Sequence, residues 1–269
     1  MYREWRARAV AAMVWRGTGP NGTQDAGGTD GVAQPEWHRI LPDGCMDLIW
    51  RRSGSDDLGH IFVAGPDTSS ASALWRPGSL QLGMRFDSAV GPALIGVPAH
   101  EVRDRRVPLA DIWGAAEATR LAERLAAASA PAAVFETEIA RRDPRAGLAD
   151  LLPPPVLAGI RAGTPVADVA RAAALSERQL LRRCQLAVGY GPKTLARIVR
   201  FRRALTLARR VERLADVAAT AGYADQAHLA REARLLGRAP LREVLAPAQS
   251  AASGANRSTW LPSGSATVA

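Results

Sequence analysis

Residues Val166–Pro192 can be laid on Leu214–Pro240 without a gap, at an offset of 48 positions. Ala167-Asp168-Val169-Ala170 then matches Ala215-Asp216-Val217-Ala218. Ala173, Leu181, Arg183, Gly189 and Pro192 match Ala221, Leu229, Arg231, Gly237 and Pro240. Each copy reads as an amphipathic helix, a break, a second helix carrying basic and amide side chains, and a Gly before a Pro. A duplicated helix-turn-helix places two reading heads on one chain, a design suited to DNA.

The charge distribution agrees with that placement. Residues 156–247 hold 17 Lys+Arg against 7 Asp+Glu, a net of +10, whereas residues 1–155 hold 17 against 19, a net of −2. The carboxy-terminal part therefore carries the field that attracts a polyanion. Of its basic residues only Lys193 is a lysine. Arg suits bidentate contacts to phosphate and guanine, although a GC-rich coding sequence would enrich it equally.

Cys45 and Cys184 fall in different expected domains, so they form no disulfide framework and fit a reducing compartment. No apolar run approaches the ~18–20 residues that span a bilayer. The short apolar patch Ala9–Trp15 is closed by Arg16, too early for the core of a signal peptide. These features predict a cytoplasmic protein without a membrane partner.

Residues 17–35, rich in Gly, Thr, Asp and Pro, read as a long loop. Gly17, Gly19 and Gly22 form a GxGxxG there, but Gly27, Gly28, Gly31 and Pro35 forbid the helix a dinucleotide site requires. From Trp37 to Val107 the pattern is short and strand-like, with Asp47–Trp50, His60–Ala64 and Leu80–Phe86 separated by turns at 42–44, 53–54, 65–67 and 77–78. In the last of these strands Leu80, Leu82, Met84 and Phe86 share one face, and Gln81 and Arg85 the other. Such strands predict a small barrel or sandwich. Ile112–Ala128 and Ala132–Arg141 read as helices, with Ile112, Leu121 and Leu125 apolar on the first. Pro153-Pro154-Pro155 stops any helix and marks the approach to a second domain.

Within the repeat, the Thr164 hydroxyl is expected to cap a helix whose first residue is Pro165, followed by a buried stripe of Val166, Val169, Ala170 and Ala173. Ser176 caps the next helix, with Glu177 in its first turn. Leu180 and Cys184 face the core there, as Leu229 and Ala233 do in the second copy. These core pairs sit one position out of step with the ungapped repeat.

The segments Leu175-Ser176-Glu177-Arg178-Gln179-Leu180, Ala221-Gly222-Tyr223-Ala224-Asp225-Gln226-Ala227-His228-Leu229-Ala230-Arg231 and Gly237-Arg238-Ala239-Pro240-Leu241 resemble AraC/XylS-type transcription regulators. The resemblance covers about residues 156–247. It implies base reading by Arg178 and Arg182 from the first recognition helix and by Gln226 and Arg231 from the second. Ser176, Gln179, Arg183 and His228 complete the expected DNA-binding set. Leu229, Ala233 and Cys184 stand where the family usually carries aromatics, and Leu181 where it often carries Gln. The segments His38–Ile49, Gly65-Pro66-Asp67, Gly91–Pro98 and Glu101–Leu109 resemble a sensor domain attached to some of these regulators. That resemblance implies a small-molecule effector or a homodimer contact in the amino-terminal part, and RNA polymerase as partner where the protein activates.

Other candidates have simpler readings. His38, Cys45 and His60 match no dense metal-ligand spacing, and Cys45, beside an apolar strand, reads as structural or as a redox or alkylation sensor. Asp43 and Asp47 flank a turn and read as turn-formers rather than an acid/base pair. Arg197, Arg200, Arg202, Arg203, Arg209 and Arg210 on the connecting helix form a solvated face or touch phosphate. A repair alkyltransferase-like enzyme with a DNA-targeting tail would need a nucleophile–base motif in residues 1–155, and the sequence holds none.

The expectation is an α+β protein of two domains. A β-rich effector or dimerisation domain (1–150) precedes an all-α domain (156–247) with two helix-turn-helix units joined by a long helix, then a disordered tail (248–269). The expected function is sequence-specific regulation of transcription on double-stranded DNA, without catalysis, metal or cofactor.

Overall fold

The computed structural model describes residues 2–19, 34–54, 57–211 and 213–246. Part of the 17–35 loop, including Gly22, and the tail expected from residue 248 onward lie outside the described residues.

Six antiparallel strands make one sheet: β1 (Tyr2–Arg6), β2 (Ala12–Thr18), β4 (Asp47–Arg52), β5 (His60–Ala64), β7 (Leu80–Phe86) and β8 (Arg106–Pro108). Their spatial order is β1-β2-β7-β4-β5-β8, and β3 (Glu36–Ile40) pairs with β6 (Ala71–Trp75) as a separate two-stranded ribbon. The result is a sandwich of sheet and ribbon. Two strands, β1 and β2, fall where sequence alone shows only a basic, partly apolar start. Gly17 and Thr18, expected in the loop, are the end of β2.

Side chains alternate across a strand, and here the two faces of the sheet have different coverings. Val14, Leu48, Trp50, Val63, Leu82, Met84 and Phe86 face a core completed by α1 (Gly91–Ile95), α3 (Ala115–Ala127) and α4 (Pro131–Ala140), through Ile95, Leu121, Leu125, Phe135 and Ile139. Ile112 lies outside α3, on the separate four-residue helix α2 (Ala110–Trp113), because Gly114 at φ 89° breaks the expected continuous helix. The opposite face carries Gln81 and Arg85, which are as buried as the apolar row, at 2% and 7% exposure. The β3–β6 ribbon lies over them.

The carboxy-terminal part is all helix: α5 (Pro154–Ala162), α6 (Val166–Ala172), α7 (Glu177–Val188), α8 (Pro192–Ala208), α9 (Leu214–Ala221), α10 (Gln226–Gly237) and α11 (Leu241–Leu245). The three prolines begin α5 instead of only ending what precedes it. Pro is tolerated in a first turn, where its missing N–H has no partner to lose. At α6 the cap is Pro165 and not Thr164, and no side chain caps the helix. The Thr164 amide is instead satisfied by the Gly159 carbonyl. The central α8 threads the shared core with Leu195, Ile198, Phe201 and Leu205, all fully buried.

The two parts rest on each other. Leu41 belongs to the helical core, and a Cβ on Gly44 would touch Leu195 and the Tyr190 hydroxyl. Arg103 donates to the Gly189 carbonyl, and Arg39 pairs with Glu243 at 2.6 Å. The Ser70 amide and hydroxyl donate to the carbonyls of Leu236 and Gly237, and Arg238 Nε donates to Ser69 Oγ.

Candidate nucleic-acid interface and a cavity between sheet and ribbon

The helix caps fix the register of the two helix-turn-helix units. Ser176 accepts from the Gln179 amide at 3.2 Å, and the Gln179 side chain accepts from the Ser176 amide at 2.8 Å, a reciprocal cap for α7. Asp225 caps α10 by accepting from the His228 amide at 2.6 Å. Ser176 and Asp225 are 49 positions apart, not 48. The buried pairs Leu180/Leu229 and Cys184/Ala233 keep that offset of 49. The first helices hold to 48, with Val169/Val217 and Ala170/Ala218 buried. The second copy has therefore gained one residue in its turn.

The shift changes which residues correspond. Arg182 and Arg231 become equivalents, both exposed on the outer face of their helices. Arg178 corresponds to Ala227, and Arg183 to Glu232. Gly189, which ends α7 at φ 84°, corresponds to Arg238, which ends α10 at φ 52°. A left-handed Arg costs roughly 1 kcal/mol or more relative to Gly. The Arg238–Ser69 hydrogen bond holds the residue in place there.

Arg178 and Arg182 are four apart on α7 and project from one exposed face. Gln226 and Arg231 are exposed on α10. Ser176 and Gln179 are engaged in the cap, and Arg183 is half-buried. The half-buried His228 ring sits edge-on to Tyr223 at 5.1 Å, and Arg200 lies over the same Tyr223 ring at 4.7 Å. Arg203, Arg209 and Arg210 on or just after α8 are exposed, while Arg202 turns inward. Burial lowers the Arg202 pKa, and the Asp43 carboxylate across the domain contact opposes that shift.

One residue of the reader helix carries a role that the repeat does not announce. Glu232 on α10 is 5% exposed and accepts two hydrogen bonds from Arg197 on α8. Arg197→Ala would leave this carboxylate buried and alone. Because the Arg197 side chain is 42% exposed, the expected loss is about 1–3 kcal/mol, below that of a fully buried pair. Urea denaturation measures it. Adding Glu232→Gln should recover part of the loss, and an unchanged midpoint for Arg197→Ala would mean the pair does not anchor α10.

The second site lies between sheet and ribbon, a cavity of about 560 Å³. At its inner end Arg85 contacts both Asp47, at 3.2 Å, and Asp43, at 3.4 Å. Burial works against the Arg85 charge, but the two carboxylates outweigh it and hold the guanidinium above its usual pKa. Burial pushes the Asp47 pKa up, and Arg85 and the Trp15 indole, 2.9 Å away, pull it back. Arg106 grips Asp67 through two bonds of 2.8 and 2.6 Å. Asp43 and Asp47 are thus more than turn-formers: both belong to this charge cluster, and Asp43 also accepts from the Cys45 amide.

Burial, reinforced by Asp43, drives the Cys45 thiol pKa far up, the opposite of what a nucleophile or redox sensor needs. Burial also pushes Cys184 up, to about 12. His38 packs against Trp75 at 4.8 Å between ring centres, and burial lowers its pKa to about 4. No group of three or more His, Cys, Asp or Glu side chains able to hold a metal occurs among the described residues. No described helix is long and apolar enough to cross a membrane.

Residues 169–244 match a family model described as a helix-turn-helix domain, and residues 26–108 match one described as a domain of unknown function (DUF6597). No curated protein matches the chain. Among solved structures, ToxT from Vibrio cholerae O395 aligns at 12% identity and TM-score 0.42, over 79% of this chain and 96% of that one. An apo ToxT variant from Vibrio cholerae strain SCE256 aligns at 10% identity and TM-score 0.44, over 89% and 98%. Likenesses this distant carry no argument about the present chain.

Proposed function

We propose that this chain, with a helix-turn-helix domain matched over residues 169–244 and a domain of unknown function over 26–108, is an AraC-type regulator that reads two successive major-groove segments of a specific operator under control of its amino-terminal domain. The observation that carries this reading is the equivalence of Arg182 and Arg231. They stand at the same exposed position of two recognition helices whose inner faces are locked to one central helix. Arg178 and Arg182 serve one half-site, and Gln226 and Arg231 the other. The Ala227 equivalent of Arg178 leaves the second head with fewer base-edge donors, so the first half-site is the more stringent.

Control is assigned to the cavity between sheet and ribbon. Its inner wall, the 43–45 turn, abuts α8. A molecule seated in the cavity therefore lies one turn away from α8, the helix that joins the two heads.

The test is footprinting of the full chain on its native upstream region, with unrelated duplex as competitor. Two protected major-groove patches about 10 base pairs apart on one face are expected. Affinity should fall steeply as salt rises. A single patch, or equal binding to the competitor, overturns the two-headed reading.

A further inference from the structure

Strand register arranges the cavity floor in three rows. One row runs Gly17, Gln81, Arg51, His60 across β2, β7, β4 and β5. The next runs Trp15, Gly83, Ile49, Phe62, and the last contains Arg85 and Asp47. Rows two residues apart along a strand are separated by about 7 Å. The middle row is apolar, and the Trp15 indole fills the space over Gly83: a Cβ there would fall 2.1 Å from its ring. In the last row Arg85 pairs with Asp47, and Asp43 from the neighbouring turn adds a second carboxylate to it.

The first row is not satisfied. Gln81, 2% exposed, uses its carbonyl to accept from Arg51 Nη2 at 3.4 Å, and its Nε2 has no partner. Arg51 Nε also lacks one, and no carboxylate within ion-pair distance of Arg51 occurs among the described residues. Trp75, 3% exposed, lies over Gly17 at the end of the same row with its indole N–H unpaired. All three unmet groups are donors, and the Arg51 guanidinium, 5.2 Å from the Phe62 ring centre, has no carboxylate partner among the described residues. Buried donors without acceptors are uncommon in folded proteins because each forfeits its hydration. Here Arg51 and Gln81 adjoin in the lining of a cavity of ligand-binding size, which Trp75 also lines.

We propose that this cavity binds a small organic acid with a flat aromatic body. The carboxylate would accept from Arg51 and Gln81, and the ring would lie among Trp15, Ile49, Phe62 and Trp75. The inference rests on the effector reading above, but it concerns ligand class and has its own test.

Titration calorimetry of the full chain with indole-3-acetate, indole-3-ethanol and tryptamine keeps the ring constant while the head group changes from anionic to neutral to cationic. Indole-3-acetate should bind at least tenfold tighter than the other two. Arg51→Met, which keeps the aliphatic stem but removes the donors and the charge, should abolish that preference. Gln81→Leu should weaken indole-3-acetate alone, and thermal melts of both variants confirm that each is folded. Equal binding of the three probes, tighter tryptamine binding, or no binding at millimolar concentration overturns the proposal. Binding of indole-3-acetate that leaves operator affinity unchanged would instead support the ligand class and overturn control by the cavity.

Discussion

Replacing Arg85 by Met is expected to destabilise the amino-terminal domain by about 3–5 kcal/mol, the effect of stranding buried charge. Asp47 and Asp43 both lean on this guanidinium, and Met fills the volume of its stem without its charge. The deficit should depend on pH in a defined direction. Burial already raises the Asp47 pKa, and loss of Arg85 raises it further. The folded variant then holds a proton that the unfolded chain releases near pH 4. Such a group stabilises the fold at low pH and withdraws that stability as pH rises. The deficit should therefore be larger at pH 7.5 than at pH 5, and adding Asp47→Asn should recover part of it. Denaturation midpoints at the two pH values check this. A deficit independent of pH would show that Arg85 contributes packing and not charge compensation.

On DNA, Arg182→Ala and Arg231→Ala should each weaken cognate binding by about 1–3 kcal/mol and relax preference at a few base pairs. The two affected sets should lie about 10 base pairs apart. Arg209→Ala, outside the recognition helices, should weaken all sequences alike if its side chain touches phosphate. Selection of binding sites from a randomised duplex, repeated for each variant, resolves these outcomes. Relaxation at the same base pairs in both variants would exclude two independent heads.

Much of this arrangement is legible in the sequence, and the gaps have identifiable causes. The repeat gives both helix-turn-helix units because Val169, Ala170, Val217 and Ala218 must all be buried. It misassigns the later equivalences because Gly237 and Pro240 happen to fall on the ungapped register, while the caps Ser176 and Asp225 do not. The strand Leu80–Phe86 shows its apolar face plainly. Its alternation suggests that Gln81 and Arg85 meet water, and only the distant β3–β6 ribbon turns that polar face into a cavity wall. No local pattern signals such a covering. The cap at Ser176 is legible, but its consequence for Gln179 is not, since the same side chain suits a cap or a base edge.

The segment Gly65–Ser70 touches both heads. A Cβ on Gly189, behind the first recognition helix, would meet Pro66, and Ser69 and Ser70 bond to the end of the second. The contacts therefore close a loop: amino-terminal domain, first head, central helix, second head and back. In a closed loop each contact raises the effective concentration of the other, so neither breaks at its own intrinsic cost while the other holds. Once one is lost, the remaining contact stands alone and weaker. The two contacts are thereby coupled: loosening one weakens the hold of this segment on the other.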